Sequence, residues 1–299
     1  MKKIYKIGFW GTGKLGIAIA NKLIQNNLEL FIHNRTIDNA KLLINEGAIW
    51  CDQLTKVFAQ SDIIFICVSH DNYINELFSN PKELNSYKHK IIIDLSTISP
   101  LNAAEIASKA NLLGSYYYSC PVSGGVEGVY NNSLAAIISG NKVLFDNFEY
   151  ILRIFIDKIT WVNNHEEALK LKILNNLAES INLLGAIEII NLGLRLNIPL
   201  SDMESTFTTC RGRSAYMDVA LGFLKNDCNS TNVSLHVRNK DIKLAQKLNN
   251  DNGGTNNTLS DLTINIFSTL LEKYSGTDDQ CSYFNYLNPI KPEGKKNDY

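Results

Sequence analysis

The chain has 299 residues, of which 45% are hydrophobic and 20% are charged, and its formal net charge is −1. This length predicts about two domains with a sizeable core, and the near-neutral charge balance argues against nucleic acid or an anionic membrane as partner. The six cysteines are scattered without a CxxC pair, so we predict no metal site and expect a reducing, cytoplasmic location.

The apolar segments predict neither a signal peptide nor a membrane span. The N-terminal run "MKKIYKIGFWGTG" is basic and then apolar, but it reaches glycines at once and lacks a small-residue cleavage site. The longest apolar region, from Ile181 to Leu196, is interrupted by polar residues that include Glu188 and Arg195. Because a membrane span needs about 20 nearly uninterrupted apolar residues, a helix buried between layers of protein is the better interpretation.

The first half of the chain alternates short β-rich runs with longer amphipathic segments. "KIYKIGFW" is typical of a strand, "LGIAIANKLIQNN" has the apolar spacing of a helix, and "ELFIHNR" is typical of a second strand. A helix is predicted in "TIDNAKLLINEGA", and the apolar runs "DIIFICVS" and "KIIIDLST" are typical of strands covered on both faces. "YYYSCPV" and "LAAIISG" are two further candidate strands. This alternation predicts an α/β domain with a doubly wound parallel sheet.

The pattern changes near residue 163. From Glu166 onward nearly every segment is typical of a helix, and no convincing strand occurs. The predicted helices are 166–196, 201–224, 233–250 and 258–275. We therefore expect an α/β domain over 1–163, an all-α domain over 164–290, and a loose tail over 291–299 where charges and a proline accumulate.

A glycine pattern follows the first predicted strand. "GTGKLG" places Gly11, Gly13 and Gly16 in a G-x-G-x-x-G that opens a helix and begins a strand–helix–strand unit. In such a turn the first glycine makes the tight turn, the second lets a pyrophosphate approach the backbone, and the third packs the helix on the strand. The pattern predicts a dinucleotide site with negative charge facing the helix N-terminus. A glycine-rich turn without a ligand is the alternative.

The end of the second predicted strand indicates which dinucleotide binds. An NAD site usually has Asp or Glu there, because a carboxylate binds the ribose 2′-hydroxyl. This chain has Asn34, Arg35 and Thr36 instead, and no carboxylate before Asp38. Arginine pairs with phosphate and stacks on aromatic rings, so we expect NADP in preference to NAD. The alternative is that Arg35 is a solvated surface residue.

The all-α half opens with "ALKLKILNN". Lys172, Asn175 and Asn176 lie at positions i, i+3 and i+4 and therefore share one face of a helix. They lie near the start of that helix, next to the expected carboxyl edge of the sheet, where ligands of such folds bind. Desolvation lowers the pKa of a lysine held at such an edge, which would suit it to proton transfer near neutrality.

Four motifs, occurring in this order, make the sequence resemble the β-hydroxyacid dehydrogenase family. They are "IGFWGTGKLG" with "HNRT", then "DLSTISP", "CPVSGGVEG" and "LKILNN", supported by "NKDIKLA". The family includes 3-hydroxyisobutyrate dehydrogenase, tartronate-semialdehyde and glyoxylate/succinic-semialdehyde reductases and, more distantly, 6-phosphogluconate dehydrogenase. The resemblance, from about Ile4 to Leu287, implies a Rossmann domain followed by a helical domain. It also implies NADP-dependent hydride transfer involving a small 3-hydroxy acid or semialdehyde acid.

The resemblance implies a role for each matching residue. Lys172 would be the catalytic acid/base at the substrate hydroxyl or carbonyl. The residues implied in substrate binding are Ser123, Gly124, Gly125, Asn175 and Asn176. The residues implied in cofactor binding are Gly11, Thr12, Gly13, Lys14, Leu15, Gly16, Asn34, Arg35, Thr36, Val68, Ser69, Ser96, Thr97 and Lys240. The loop from Cys120 to Gly128 would form a backbone cradle for the substrate carboxylate, with a surface turn as the alternative. A homodimer or homotetramer is also expected.

The chain departs from the family at its usual G-x-G-x-x-x-K. Glu166 and Ala168 stand at the two glycine positions, with Glu167 between them. These carboxylates could either raise the pKa of Lys172 or point to solvent.

Two other functions remain as alternatives. An imine reductase shares "NRT" but usually has Asp or Tyr in place of the lysine, and a non-catalytic NADP-binding interaction module typically loses the lysine. The presence of Lys172 argues against both.

Overall fold

The structure of the protein is a computed structural model that describes residues 4–69, 77–78, 83–226, 230–255 and 257–288. The chain divides into two compact units, Met1–Lys172 and Ile173–Tyr299. The tail predicted over 291–299 lies outside the described residues.

A six-stranded parallel sheet forms the centre of the first unit. Its strands are β1 (Ile7–Trp10), β2 (Leu30–His33), β3 (Ile49–Trp50), β4 (Ile63–Ile66), β5 (Ile91–Asp94) and β6 (Tyr116–Ser119). They are ordered β3-β2-β1-β4-β5-β6 and every neighbouring pair is parallel. This is the strand order of the Rossmann fold, in which ligands bind at the carboxyl ends of the strands, where the order reverses between β1 and β4. The predicted fold class is confirmed.

Helices connect these strands and cover the sheet, which explains why several strand sequences are continuously apolar. The helices between them are α1 (Lys14–Gln25), α2 (Lys41–Asn45), α3 (Leu54–Gln60) and α4 (Pro100–Leu112). Strands β1, β4 and β5 are buried at every position, which is why their sequences are continuous apolar runs rather than alternating ones.

A second sheet of three strands follows. Its central strand confirms the candidate "LAAIISG", but a separate sheet was not predicted. It contains β7 (Val122–Ser123), β8 (Leu134–Ile138) and β9 (Ile156–Trp161), with β7 antiparallel and β9 parallel to β8. The segment "YYYSCPV" is therefore divided between two sheets, because Pro121 lacks an N–H and interrupts the strand. Three short helices belong to this region: α5 (Gly125–Tyr130), α6 (Lys142–Phe145) and α7 (Glu149–Leu152). Helix α5 packs against α1.

The helices that follow are α8 (His165–Arg195), α9 (Leu200–Thr209), α10 (Ala215–Lys225), α11 (Leu235–Asp251), α12 (Thr258–Lys273) and α13 (Tyr283–Leu287). The predicted all-α class of this region is confirmed. The single helix predicted over 201–224 is wrong in one respect, because it is two helices. Cys210 is extended, and the Ser214 side chain caps α10 by accepting from the Met217 N–H.

Helix α8 is long and apolar enough to cross a membrane by length and composition alone. Its most apolar window has a mean hydropathy of 1.4, and 44% of that window is buried inside the protein. A helix in the core of a globular protein has the same properties, and α8 contributes Leu183 and Ile187, both fully buried, to the core of the second unit.

Candidate active site

The register of the sheet brings the carboxyl ends of five strands to one edge. Trp10 pairs with His33 and Ile66, Ile66 pairs with Asp94, and Asp94 pairs with Ser119. The residues that follow these positions therefore begin neighbouring loops. Those loops contain the glycine turn 11–16, the segment 34–36, the pairs 68–69 and 96–97, and the start of the loop 120–128.

The glycine turn between β1 and α1 has the shape that a pyrophosphate requires. Gly11 has a φ of +104°, and a Cβ there would come within 3.0 Å of the Cys67 carbonyl oxygen, so only glycine fits. Helix α1 packs closely on the turn because Gly16 has no Cβ. A Cβ there would clash with the Gly11 carbonyl oxygen in the same way. By contrast, a Cβ on Gly13 would meet nothing within 4 Å. The fold therefore does not require glycine at position 13, whereas a phosphate approaching the backbone does.

The first turn of α1 is suited to an anionic ligand. Its N-cap, Gly13, offers no side-chain oxygen to the first N–H groups, and no acidic residue lies in the first turn of this 12-residue helix. The buried hydroxyl of Thr12 has no hydrogen-bond partner within the described part of the chain. Unpaired N–H groups at a helix N-terminus attract negative charge, so these residues fit the pyrophosphate of a dinucleotide.

The loop after β2 is fastened to the glycine turn by Asn34. Its Oδ1 accepts a hydrogen bond from the Thr12 N–H at 3.2 Å, and its Nδ2 donates to the Thr36 carbonyl oxygen at 3.0 Å. A carboxylate could accept the first of these bonds but could not donate the second. Asparagine at this position therefore holds the loop against the glycine turn. It also leaves the site without the carboxylate that usually binds the ribose of NAD. Arg35 and Thr36 are exposed.

Buried hydrogen bonds join the loops after β4 and β5. The Val68 N–H donates to Ser96 Oγ at 3.0 Å, and the Ser96 N–H donates to Asp94 Oδ1 at 2.9 Å. The Tyr117 hydroxyl donates to the other Asp94 oxygen at 2.8 Å. Ser96 is buried, whereas Ser69 is exposed. The hydroxyl of Ser96 therefore links two loops of the predicted cofactor edge.

The thiols at this edge are unreactive. Burial, and to a lesser degree the Asp94 charge, raise the pKa of Cys67 to about 12. The same two causes raise the pKa of Cys120. Both thiols are therefore neutral near pH 7. Across the part of the chain that the structure describes, no group of three or more His, Cys, Asp or Glu residues could hold a metal ion.

The predicted carboxylate cradle is a turn of two glycines with positive φ. Gly124 has a φ of +125° and Gly125 a φ of +61°, conformations that side chains rarely adopt. A Cβ on Gly124 or on Gly128 would press against the Leu134 side chain, while a Cβ on Gly125 would meet nothing within 4 Å. Ser123 is half-buried at the end of β7, directly before this turn. The turn thus places backbone groups without side chains beside a hydroxyl.

The start of α8 explains the residues that replace the family's glycines. Asn164 Oδ1 accepts from the Glu167 N–H at 2.8 Å, and Glu167 Oε2 accepts from the Asn163 N–H at 3.1 Å, so this pair caps the helix. Glu166 pairs with Lys170 at 2.8 Å, and both side chains are partly exposed. Each of the two carboxylates is thus engaged by a neighbour in the first turns of α8.

Lys172 lies on the face of α8 that packs on the sheet of the first unit, to which this part of the helix belongs. Ala168 and Leu169 are fully buried in one cluster with Tyr117 and Ile92 of the sheet. Lys172 follows at i+3 and i+4 from these two residues and therefore shares their face. Its side chain is buried, with an exposed fraction of 7%. Buried lysines are uncommon, so this position agrees with a chemical role.

In the second unit, Asn176 is held in one orientation. Its Nδ2 donates to Asp241 Oδ2 at 2.7 Å, while its buried Oδ1 has no hydrogen-bond partner among the residues that are described. Lys240 forms an ion pair with Asp241 at 2.8 Å. Asn175 is exposed and donates to Glu179 Oε1 at 2.6 Å. The amide of Asn176 therefore presents a hydrogen-bond acceptor.

A buried arginine, which sequence reasoning missed, supports this arrangement. Arg238 donates to Glu179 Oε2 at 3.0 Å, to the Asn176 carbonyl oxygen at 3.3 Å and to Gln280 Oε1 at 2.9 Å. The Tyr216 hydroxyl donates to the same Glu179 oxygen at 2.7 Å. The available signal was that Arg238 lies three residues after Leu235 and four before Ile242, which places a charge on the buried face of α11.

Comparisons with known proteins agree with this geometry. A sequence model of the NAD binding domain of 6-phosphogluconate dehydrogenase matches residues 6–163. The structure of Psf3 in complex with NADP+ and 2-OPP is 38% identical, with a TM-score of 0.88 over 94% of this chain and 99% of that one. The 2-(hydroxymethyl)glutarate dehydrogenase of Eubacterium barkeri is 26% identical over 82% of each chain. An imine reductase variant from Myxococcus stipitatus, in complex with NAD+, shares the fold at 17% identity and a TM-score of 0.62, over 95% of this chain and 100% of its own.

Proposed function

Since the chain belongs to the β-hydroxyacid dehydrogenase family, we propose that it uses NADP to interconvert a small 3-hydroxy acid and its semialdehyde acid, with Lys172 as general acid/base. NAD(P)-dependent hydroxyacid dehydrogenase activity is that of the family. The choice of NADP, the role of Lys172 and the class of substrate are the proposal. The observation that supports it best is the burial of Lys172 on the face of α8 that packs on the sheet.

Lys172 would move the proton of the reaction. When bound, NADP would supply the hydride to the carbonyl carbon or accept it from the carbon that bears the hydroxyl. In the reductive direction the Lys172 ammonium donates its proton to the carbonyl oxygen, and in the oxidative direction the neutral amine removes the proton of the hydroxyl. Asn176, whose amide is oriented by Asp241, would accept a hydrogen bond from the substrate hydroxyl.

The glycine turn after β7 would bind the substrate carboxylate. Gly124 and Gly125 have no side chains that could cover their own backbone N–H groups, and Ser123 adds a hydroxyl. Successive N–H groups in such turns form concave sites for anions. A small carboxylate-bearing substrate would therefore be held by its acid group while its carbonyl or hydroxyl carbon is presented for reaction.

Replacement of Lys172 tests this role. Lys172→Ala should lower kcat by roughly a hundredfold or more, while the dissociation constant of NADPH, measured by fluorescence titration, stays nearly unchanged. Lys170→Ala is the matched control, because Lys170 lies on the exposed side of the same turn and pairs with Glu166. Activity retained by Lys172→Ala at the level of the control would refute the assignment.

A substrate panel tests the reaction class. NADPH oxidation should be seen with at least one of glyoxylate, succinic semialdehyde and tartronate semialdehyde. Turnover of only a cyclic imine would instead make the chain an imine reductase. Tight NADPH binding without turnover of any compound would make it a binding module.

The preference for NADP is supported by the segment 34–36 and by a relative. Arg35 is exposed at the end of β2 and no carboxylate occupies this position, as expected where a 2′-phosphate binds. The 38% identical Psf3 structure contains NADP+. We expect kcat/KM to be higher with NADPH than with NADH, and Arg35→Ala to reduce that preference. A higher kcat/KM with NADH would contradict the proposal.

We also propose that two copies of the chain pair along α8. Leu174, Ile189 and Leu192 are exposed at helical spacing on this helix, and a Cβ on exposed Gly185 would meet nothing within 4 Å. Glycine inside a helix destabilises it by about 1 kcal/mol relative to alanine, which close approach of a second helix would offset. An identical stripe on a second copy is self-complementary under two-fold symmetry.

Light scattering tests this pairing. The wild type should have the mass of a dimer or tetramer, and Leu192→Lys should lower that mass. A monomeric wild type would refute the proposal.

A further inference from the structure

A polar contact fastens the first residue of α8 to the sheet. His165 Nδ1 lies 3.1 Å from the hydroxyl of Ser119, the last residue of β6. The imidazole also contacts the ring of Tyr117, with 5.3 Å between the ring centroids. Burial lowers the pKa of His165, so the ring is neutral near pH 7. The proposed reaction uses neither His165 nor Ser119.

The same contact continues into the loops at the carboxyl edge. The Tyr117 hydroxyl donates a hydrogen bond to Asp94. Asp94 also accepts one from the Ser96 N–H, and the Ser96 hydroxyl accepts one from the Val68 N–H. We call this chain of contacts, from His165 through Tyr117, Asp94 and Ser96 to Val68, the edge network. It connects the start of α8 with two loops that contain predicted cofactor residues.

We propose that His165 is a positioning residue for Lys172, an inference that rests on the proposed role of Lys172. The two residues are seven positions apart and share one face of α8, at a separation of about 10 Å along the helix axis. Ala168 and Leu169, between them, pack on the sheet. The polar contact fixes the rotation and height of the helix start, and the apolar contacts hold the next turn. Together these contacts fix the point from which the Lys172 side chain extends.

The contact matters because of where α8 begins in this chain. The usual glycine pattern before the lysine is absent, and α8 begins seven residues before Lys172. Over that distance a small rotation at the start of the helix changes the position of the amine. Reacting groups must be placed within a fraction of an ångström, and a misplacement of about 1 Å can lower the rate by about a hundredfold.

The effect on catalysis should be separable from an effect on folding. Loss of the imidazole leaves the buried contacts of Ala168 and Leu169 in place, so we expect the helix to remain docked but less sharply positioned. His165→Ala should therefore lower kcat by about tenfold, with little change in the NADPH dissociation constant. His165→Asn should restore most of kcat, because the asparagine amide nitrogen can occupy nearly the position of Nδ1 and bond to Ser119.

A double-mutant cycle tests the contact itself. Ser119→Ala alone should lower kcat to a similar degree, and the double variant His165→Ala/Ser119→Ala should be no slower than either single variant. Lys170→Ala serves as the control on an exposed position of the same helix. Should His165→Ala not fold, Ser119→Ala removes the same hydrogen bond with a smaller change and decides the question.

The outcomes separate this inference from the proposed function. Wild-type kcat in folded His165→Ala, together with an inactive Lys172→Ala, would overturn the positioning role and leave the function intact. A lower kcat accompanied by weaker NADPH binding and a lower melting temperature, and not rescued by asparagine, would also overturn it. That combination would indicate a purely structural role. Activity in Lys172→Ala would overturn the proposed function itself.

Discussion

Replacement of Gly13 by alanine separates the needs of the fold from those of the cofactor. Gly13 has φ −73° and ψ 178°, which any residue adopts, and a Cβ there would meet nothing within 4 Å. Alanine restricts the unfolded chain, which would raise the free energy of unfolding by about 0.4–1 kcal/mol, but alanine is a poorer N-cap than glycine and lowers it by a comparable amount. Because the two effects oppose each other, the free energy of unfolding should stay within about 1 kcal/mol of the wild type and the melting temperature within about 4 °C.

The same methyl group should weaken cofactor binding. If the pyrophosphate approaches the backbone at Gly13, an added methyl group would keep it out of contact with the first N–H groups of α1. We expect the NADPH dissociation constant, measured by fluorescence titration, to increase at least about tenfold, or about 1.4 kcal/mol. Two further variants calibrate the result. Gly222→Ala in α10 should be stabilising without affecting NADPH, because its Cβ also meets nothing within 4 Å. Gly11→Ala should destabilise the fold, because of its positive φ and its clash with the Cys67 carbonyl.

The two measurements can contradict this reasoning in different ways. A folded Gly13→Ala variant with wild-type NADPH affinity would show that the cofactor does not approach this turn. A large loss of stability in Gly13→Ala would show that the backbone or the space around position 13 differs from the structure. Neither result is expected from a glycine whose only constraint is a ligand.

Three other substitutions follow from buried polar contacts. Asp94→Asn should lower the free energy of unfolding by about 1–3 kcal/mol in urea denaturation, because its amide NH₂ would face one of the two donors, Tyr117 or Ser96. Arg238→Met should lower it by about 3–5 kcal/mol, since Glu179 would keep its charge without its partner, and Arg238→Met/Glu179→Gln should recover most of that loss. Because burial lowers the pKa of His165 from its ordinary 6.5, the unfolded chain binds more protons than the native one as the pH falls below that value. The melting temperature between about pH 7 and pH 5 should therefore fall less in His165→Asn than in the wild type.

Five strands of the first sheet were predicted from the sequence, whereas β3, which has two residues and an exposed Ile49, was not. Strands β1, β4 and β5 read as unbroken apolar runs, and that pattern has few other interpretations. The second sheet could not be predicted, because β9 exposes Asp157, Lys158 and Thr160 and thus lacks an apolar run. The strand at the other edge, β7, has two residues and is defined by pairing with β8, a contact that no local pattern specifies.

The sequence identified which residues belong to the candidate site, but it could not predict the contacts that those residues make. The glycine spacing identified the turn, but only the structure explains Gly11 and Gly16 by contacts within the fold while leaving Gly13 without one. The motif named Ser96, but its bond to the Val68 N–H depends on the register between β4 and β5. Likewise, the orientation of Asn176 depends on a partner 65 residues away in the chain.

The replaced glycines before Lys172 show how a motif can change while the reaction is kept. A glycine-rich turn and a capped helix are two ways of leading the chain from the sheet to the lysine. Glu167 completes a cap with Asn164, and Ala168 is small enough to be fully buried against the sheet. These residues favour helix where glycine would oppose it by about 1 kcal/mol per residue. Helix α8 begins at His165, and its placement depends on the side-chain contacts at that start. On this reasoning the imidazole of His165 contributes, in this chain, to the placement of the helix that contains Lys172.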